Sequence, residues 1–405
     1  MFIYYTVYTL TMHNKTICIL GRLPSIATAE LESLFGADRI TKLSSESVLL
    51  NEDPSIINYS RLGGTVKTCK LLHIFEEKNW SKVESYLENQ LPNHINDNKK
   101  LTLGLSAYSV AVNPSQLLKT GLKLKKQIKK LGTSFRLVPN NDPALSSAQV
   151  YHNKLTKPGS LELCFVGSGN KIYMGQTVDV QDINAYSARD QARPKRDARV
   201  GMLSPKLAQT IINLANPKAE DIILDPFCGT GVILQEALLM GFAVAGTDLE
   251  PRMIEYTHEN IEVWLAGKYP DFKDKVNLKI ADATSVIWNN AEGIQFDSLA
   301  SETYLGRPLS SLPSMAILDQ IIRDVDTILK KFLKNLANQT NPGFRLCIAV
   351  PAWKTHSDFL HLPLLDHLER LGYTRMKFTH ADDKDLIYHR EGQIVGRELI
   401  ALTRK

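Results

Sequence analysis

Three aspartates, each closing a short apolar run, are the residues of this chain best placed to do chemistry together. In ILDPFCGTGVILQEALLMGFAVAGTDLEPRM, residues 223–253, a strand-like run ends at Asp225 and a glycine-bearing turn follows, then a helical run. Gly229 and Gly231 let the backbone turn tightly against a ligand, and the helix that starts there points free N–H groups at it. About twenty residues on, a second strand-like run ends at Asp248, placed for a ribose diol. Asp282, in IADAT after a third run, is placed to accept from an adenine amine. A dinucleotide site would need G-x-G-x-x-G, whereas this loop reads CGTGVIL with an acid before it. An acid at the first turn suits a cationic amino-acid moiety better than pyrophosphate, so the expected cofactor is S-adenosylmethionine. Its expected contacts are Asp225, Pro226, Phe227, Cys228, Gly229, Gly231, Asp248, Leu249, Asp282 and Ala283. Cys228 reads as a small residue filling a tight turn, because no His or Lys lies near in sequence to activate it.

The elements that position these residues alternate strand and helix. Beyond Gly201 the runs are IILD, a helix at 231–240, AVAGTD, a helix at 251–266, NLKIADA, FDSLAS, a helix at 312–336, RLCIAVPA and two final strands near 374–379 and 396–403. That alternation predicts a doubly wound, mainly parallel sheet. Upstream, TICILGRLPSIATAELESLFG reads as a strand–helix unit, followed by SVLLN and two helical runs. A second α/β pattern runs from LTLGLSAYSV through a basic helix at 115–131, the strand SFRLVP and the helix SSAQVYHNKL. It ends in a hairpin around Ser168-Gly169-Asn170. Residues 179–200 have no sustained apolar period and read as a linker laid over a surface.

Composition narrows the partners. The chain has 405 residues and a net charge of +5, but residues 101–200 hold 15 Lys and Arg against 6 Asp and Glu. A polyanion touching that block is the expectation. Five scattered cysteines, with no C-x-x-C pair, read as reduced cytosolic thiols, and the ten histidines show no metal-like grouping. The opening MFIYYTVYTLTMHNK lacks a basic n-region, a cleavage site and the length of a membrane span. It reads as an extension at 1–14, with Met12 as an alternative start.

DPFCGTG, with ARPKRDARVGMLSPKLAQTIINLA before it and the LSSAQVYHNKL to KIYMGQTVDVQDINAYSARD region, resembles the THUMP-containing tRNA guanine-N2 methyltransferases. The resemblance implies an α/β chain with a Rossmann-like class I methyltransferase sheet at 201–405. It also implies a ferredoxin-like domain at 15–75, a THUMP domain at 76–178 and a linker at 179–200. Such enzymes methylate the exocyclic amine of a guanosine in tRNA, commonly nucleotide 10. The RNA-binding residues implied are Lys119, Lys123, Lys126, Lys130 and Arg136 in the basic block, with Lys125 and Lys129 beside them; in the linker, Arg193, Arg196, Asp197 and Arg199 can reach substrate phosphate or the cofactor entrance, or be simply solvated.

In that family a tetrad after the fourth strand begins with Asp, Asn or Ser, continues with two prolines and ends in an aromatic residue. The first side chain and the second carbonyl orient the amine, and the ring stacks on a flipped base. Here the tetrad is Ser301-Glu302-Thr303-Tyr304, with Glu302 and Thr303 in place of the prolines, so Glu302 is a candidate carboxylate alongside Ser301. Gly306, Arg307 and Pro308 keep the loop's punctuation, and Tyr388, His389 and Arg390 are candidates for the border of the base pocket. The expected protein is a cytoplasmic tRNA methyltransferase. An amino-methyltransferase on rRNA or DNA, and a silent RNA-binding protein that keeps the cofactor, are the alternatives. The target nucleotide, the number of methyl groups and any accessory subunit stay open.

Overall fold

The computed structural model describes residues 14–94, 100–197, 202–288, 293–356 and 358–405. The expected extension before Lys15 therefore lies almost wholly outside the described residues, as does Arg199 of the linker. The chain divides into two compact units, one made of residues 1–24, 35–60 and 64–185, the other of residues 25–34, 61–63 and 186–405.

The first unit is built on one eight-stranded sheet. Strand β1 (Thr16–Leu20) leads into helix α1 (Pro24–Phe35), then β2 (Ile40–Ser44), β3 (Ser47–Leu50) and β4 (Thr65–Phe75). Helix α2 (Trp80–Gln90) and β5 (Lys100–Tyr108) follow, then α3 (Pro114–Lys130), β6 (Ser134–Leu137), α4 (Ser147–His152), β7 (Ser160–Ser168) and β8 (Lys171–Val180). The spatial order is β2-β3-β1-β4-β8-β7-β5-β6.

The reading of two helical runs after SVLLN is corrected: α2 is a helix, but TVKTCKLLHIF is the eleven-residue strand β4. Its alternation of buried with half-buried positions and its early β-branched residues fit a pleat rather than a helical stripe. This strand pairs with β1 on one edge and β8 on the other, so the stretches expected as separate domains at 15–75 and 76–178 share one sheet. A buried ion pair stitches them: Lys67 Nζ donates to Glu162 Oε1 at 2.6 Å, and the Ser106 and Thr177 hydroxyls donate to the same carboxylate at 2.6 Å each. Hydrogen bonding of that kind is what makes a buried charge pair tolerable.

The stretch expected as a linker is also more ordered than its composition suggests. Strand β8 runs to Val180, and α5 (Ile183–Gln191) begins where Asp182 Oδ1 accepts from the backbone N–H groups of Asn184 and Ala185.

The second unit carries α6 (Pro205–Ala215), β9 (Ile222–Asp225), α7 (Val232–Leu239), β10 (Ala243–Asp248), α8 (Pro251–His258), β11 (Val276–Ile280) and β12 (Ser298–Glu302). It continues with α9 (Met315–Ala337), β13 (Arg345–Lys354), β14 (Phe359–Leu360), β15 (Tyr373–Arg375), β16 (Ile387–Tyr388) and β17 (Val395–Arg404). The helix expected over 251–266 changes at its middle into a π-helical stretch, Glu259–Leu265. The sheet order is β11-β10-β9-β12-β13-β17-β15, parallel from β11 to β13, with β17 antiparallel to both of its neighbours. Strands β9 and β12 are neighbours whose onward connections run to opposite sides. That makes their carboxyl ends the switch point where open α/β sheets bind ligands. Behind them α9 packs Leu318, Leu329, Phe332, Leu333 and Leu336 onto Leu299, Leu346, Ile348 and Val350, which forms the unit's main core.

Helix α1, although early in the chain, contributes residues 25–34 to this second unit. Glu30, fully buried, accepts from Gly63 N at 2.9 Å, Asn213 Nδ2 at 2.7 Å and Thr210 Oγ1 at 3.3 Å. Glu32 accepts from the backbone N–H groups of Thr379 and His380, and Ser33 Oγ from Arg345.

Candidate active site

A cleft of about 720 Å³ opens at that switch point, walled by the ends of β9, β10, β11 and β12 and by the loops that follow them. The turn after β9 is shaped by glycine. Gly231 sits at φ +81° as the N-cap of α7, where a Cβ would meet Thr257 Cγ2 at 2.9 Å, and Gly229 sits at φ +52°. Gly231 shapes the turn from behind, whereas Gly229 and Thr230 line the cleft.

The three aspartates stand at three successive strand ends. Asp225 is 2% exposed, and its Oδ1 accepts from Ser301 Oγ at 2.6 Å and from Phe227 N at 3.2 Å. Burial pushes its pKa up to about 8 against the opposing pull of those two hydrogen bonds. Asp248 accepts from Gly229 N and Glu250 N at 2.9 Å each, so it fixes the glycine turn to the end of β10; burial raises its pKa as well. Asp282 accepts from the backbone and hydroxyl of Thr284, and Asn335 Nδ2 of α9 donates to the carbonyl of Ala283 at 3.1 Å.

Leu249, 69% exposed, and Ala283 give the cleft apolar wall, as do Pro226 and Phe227, whose ring packs edge-on against Phe332 at 5.1 Å. Cys228 is buried, 3.9 Å from Thr257 Oγ1, and burial raises its thiol pKa well above the ordinary range, so it is a packing residue rather than a nucleophile. Among the described residues no group of His, Cys, Asp and Glu could hold a metal ion.

Alternation along β12 separates the tetrad's side chains. Ser301 is fully buried and turned back onto Asp225; Glu302, the next residue, faces the cleft. The expectation that Ser301 itself meets a substrate amine is thus not what the geometry offers. Glu302 pairs with Arg397 of β17, itself 6% exposed. Thr303 places both its N–H and its hydroxyl on the carbonyl of Ala349, at 3.0 and 3.1 Å. Tyr304 stands 44% exposed at the cleft's mouth, with Arg307 beyond it and Lys331 of α9 on the wall. Thr230 comes with the glycine turn itself, whereas Arg397 and Lys331 are additions that the sequence does not single out. Nothing in their local sequence marks them, since each is joined to the site only by tertiary folding.

The candidate RNA contacts sort unevenly. Lys119, Lys126 and Lys130 lie on the exposed side of α3, opposite buried Leu117, Leu124 and Ile128. Lys123 is held by Glu84 at 3.0 Å and Glu88 at 4.0 Å, and Arg136 donates to Asn153 Oδ1 at 2.8 Å while remaining exposed. Arg196 is exposed, with Nη2 3.2 Å from Met202 Sδ. Arg193 is 4% exposed and donates to Thr230 Oγ1 at 3.3 Å, so of its two expected places it takes the one beside the glycine turn rather than one in solvent. Tyr388 pairs in register with Arg397, and its hydroxyl accepts from Arg390 Nε at 2.9 Å.

Residues fit for a cationic, partly apolar cofactor are therefore present: a desolvated carboxyl, backbone N–H groups at a helix start, and apolar walls. No Lys or Arg sits in the glycine turn to meet pyrophosphate.

Residues 193–362 match the family described as UPF0020, an RMKL-like methyltransferase domain, and residues 107–259 match one described as N6_N4_Mtase, a DNA methylase. The tRNA (guanine(10)-N2)-dimethyltransferase of Methanothermobacter thermautotrophicus is 53% identical over 164 residues, covering 40% of this chain and 43% of that protein. The protein of the same name from Pyrococcus abyssi is 30% identical over 220 residues, covering 54% and 56%. The chain thus spans about half the length of the curated relatives it matches. TrmN from Thermus thermophilus shares the fold over 97% of this chain and all of that one, with a TM-score of 0.52 and 13% identity. The chain is an α/β protein with a Rossmann-like methyltransferase fold, and over residues 193–362 it is similar to RMKL-like methyltransferase domains.

Proposed function

We propose that this chain is a cytoplasmic enzyme that transfers a methyl group from S-adenosylmethionine to the exocyclic N2 amine of a guanosine in tRNA. Nucleotide 10 is the favoured target, because that position appears in the names of its relatives. The observation that carries the reading is the placement of Asp225, Asp248 and Asp282 at three successive strand ends, with Glu302 facing the same cleft from the neighbouring strand.

Asp225 would take the ammonium group of the cofactor, Asp248 the ribose diol and Asp282 the adenine amine, with Leu249 and Ala283 against the adenine faces. When bound, the cofactor supplies a methyl group already activated by its sulfonium. The chain's own task is then positioning. Glu302 accepts from the target amine and aims its nitrogen into the cleft, Tyr304 stacks on the flipped base, and Arg307 and Lys331 face the neighbouring phosphates. The proton released from nitrogen passes to water. Residues 15–178, the ferredoxin-like and THUMP regions, would grip the tRNA through the exposed side of α3.

The test is transfer of labelled methyl from S-adenosylmethionine to unmodified tRNA by the purified chain, with nucleoside analysis. N2-methylguanosine or its dimethyl form is the expected product. A second reading, methylation of a DNA amine, is favoured by the match described as a DNA methylase, and labelled methyladenine in DNA with none in tRNA would establish it. Tight binding of cofactor and tRNA with no transfer would mark a silent binder.

A further inference from the structure

We infer that Arg397 is a positioning residue of the site: it holds the Glu302 carboxylate toward the cleft, so that this carboxylate, and not the Ser301 hydroxyl, receives the target amine. The inference rests on the methyl-transfer reading above.

The sheet register explains how two residues 95 apart in sequence meet. Glu302 on β12 is paired with Ala349 on β13, and Ala349 is paired with Leu399 on β17. Arg397 lies two residues before Leu399, hence on the same face as Glu302. Between them stands a single strand, so the guanidinium has about 10 Å of sheet to cross, two strand spacings. The side chains it must pass over, Ala349 and Pro351, are small or compact, and an arginine can lie across them. Arg397 Nε then donates to Glu302 Oε1, with both side chains largely buried.

The pairing has a purpose that the tetrad makes visible. Where prolines would stiffen the loop, this chain has a flexible glutamate and a threonine. Thr303 is fixed by two hydrogen bonds to the carbonyl of Ala349. Glutamate carries one more rotatable bond than aspartate, and an unheld Glu302 would spread its carboxylate over several rotamers at the mouth of the cleft. The charged, short-range contact with Arg397 selects one. Ser301 is placed differently: its side chain is fully buried outside the lining of the cleft, and its hydroxyl hydrogen goes to Asp225.

The experiment uses the full chain with Arg397→Met, Arg397→Lys, Glu302→Gln and the double variant Glu302→Gln/Arg397→Met. Arg397→Met is expected to lower kcat for transfer to tRNA on the order of a hundredfold, the scale of a misplaced reacting group. Cofactor and tRNA affinities should stay within about twofold. Arg397→Lys should recover part of the rate, and the double variant should be no slower than the slower single one. Independently of activity, the Arg397 Nε–H resonance in a nitrogen-15 spectrum should be protected from exchange in the wild type and lose that protection in Glu302→Gln. Wild-type kcat in Arg397→Met, a loss confined to KM, or an Nε–H signal indifferent to Glu302 would each overturn the inference. Should Arg397→Met fail to fold, Arg397→Lys and the resonance decide it. Should the wild type transfer no methyl to any RNA, the proposed function falls, while the resonance still reports whether the two side chains are coupled.

Discussion

Ser301 donates its hydroxyl hydrogen to Asp225 at 2.6 Å, and the two residues lie at the carboxyl ends of adjacent parallel strands on either side of the switch point. Ser301→Ala removes that donor and leaves Asp225 Oδ1 with the Phe227 N–H. A hydrogen bond to a carboxyl of this kind contributes roughly 1–2 kcal/mol, so cofactor affinity should fall about tenfold or somewhat more. Titration calorimetry measures it; an unchanged Kd would show that Asp225 does not depend on Ser301.

Asp225 also predicts a proton signature. With its pKa raised to about 8 by burial, the group is largely protonated at neutral pH, and a cationic ligand must displace that proton. Binding of S-adenosylmethionine at pH 7 should release close to one proton, seen as a dependence of the binding heat on buffer ionisation enthalpy. Asp225→Asn should abolish the dependence. The same group fixes a stability slope in the free protein. Between the ordinary carboxyl value near 4 and about 8 the folded chain keeps a proton that the unfolded chain has lost, so its contribution to stability declines as pH rises through that window.

Asp248→Ala removes the acceptor of both Gly229 N and Glu250 N as well as the expected ribose contact. Cofactor affinity should drop on the order of a hundredfold. Tyr304→Ala, by contrast, should spare cofactor affinity and lose transfer; equal transfer by the wild type and Tyr304→Ala would refute base stacking.

The α3 lysines give a graded test. Replacing Lys119, Lys126 and Lys130 together should weaken tRNA binding and reduce the slope of log K against log salt by roughly one for each phosphate no longer neutralised. Lys123→Ala should change the slope less, because Glu84 already holds that ammonium group at 3.0 Å. Filter binding at several salt concentrations separates the two; equal changes of slope would mean that RNA displaces Glu84.

Glu30→Ala removes the acceptor of Gly63 N and of one Asn213 Nδ2 hydrogen inside the second unit, while Asn213 Nδ2 keeps the carbonyl of Arg61. The expected cost is about 2–4 kcal/mol, read from denaturant unfolding of the full chain. A change under about half a kcal/mol would show that water replaces the carboxylate.

The glycine turn is legible in the sequence because its signal is local: an acid at a strand end, glycines where φ must be positive, and a second acid one strand–helix unit later. Which of Ser301 and Glu302 faces the cleft is not, since that depends on how β12 registers against β9 and β13. Strand β4 escapes a sequence reading because its alternation is interrupted by Leu71-Leu72, which reads equally as a helical stripe. Arg193 stays open in the sequence for a related reason. A charged residue in a polar stretch looks solvated until folding puts Thr230 beside it. Composition likewise hides α5, whose start is set by one aspartate accepting from two backbone N–H groups.

Helix α1 has a consequence for synthesis. Ser33 is translated 312 residues before Arg345, the side chain that donates to it. At ribosomal rates that interval is on the order of tens of seconds. During it the nascent chain lacks most of the second unit, to which residues 25–34 of the helix belong in the finished protein. Thr379 and His380, which donate to Glu32, arrive later still, so this early helix completes its hydrogen bonds only when synthesis is nearly over.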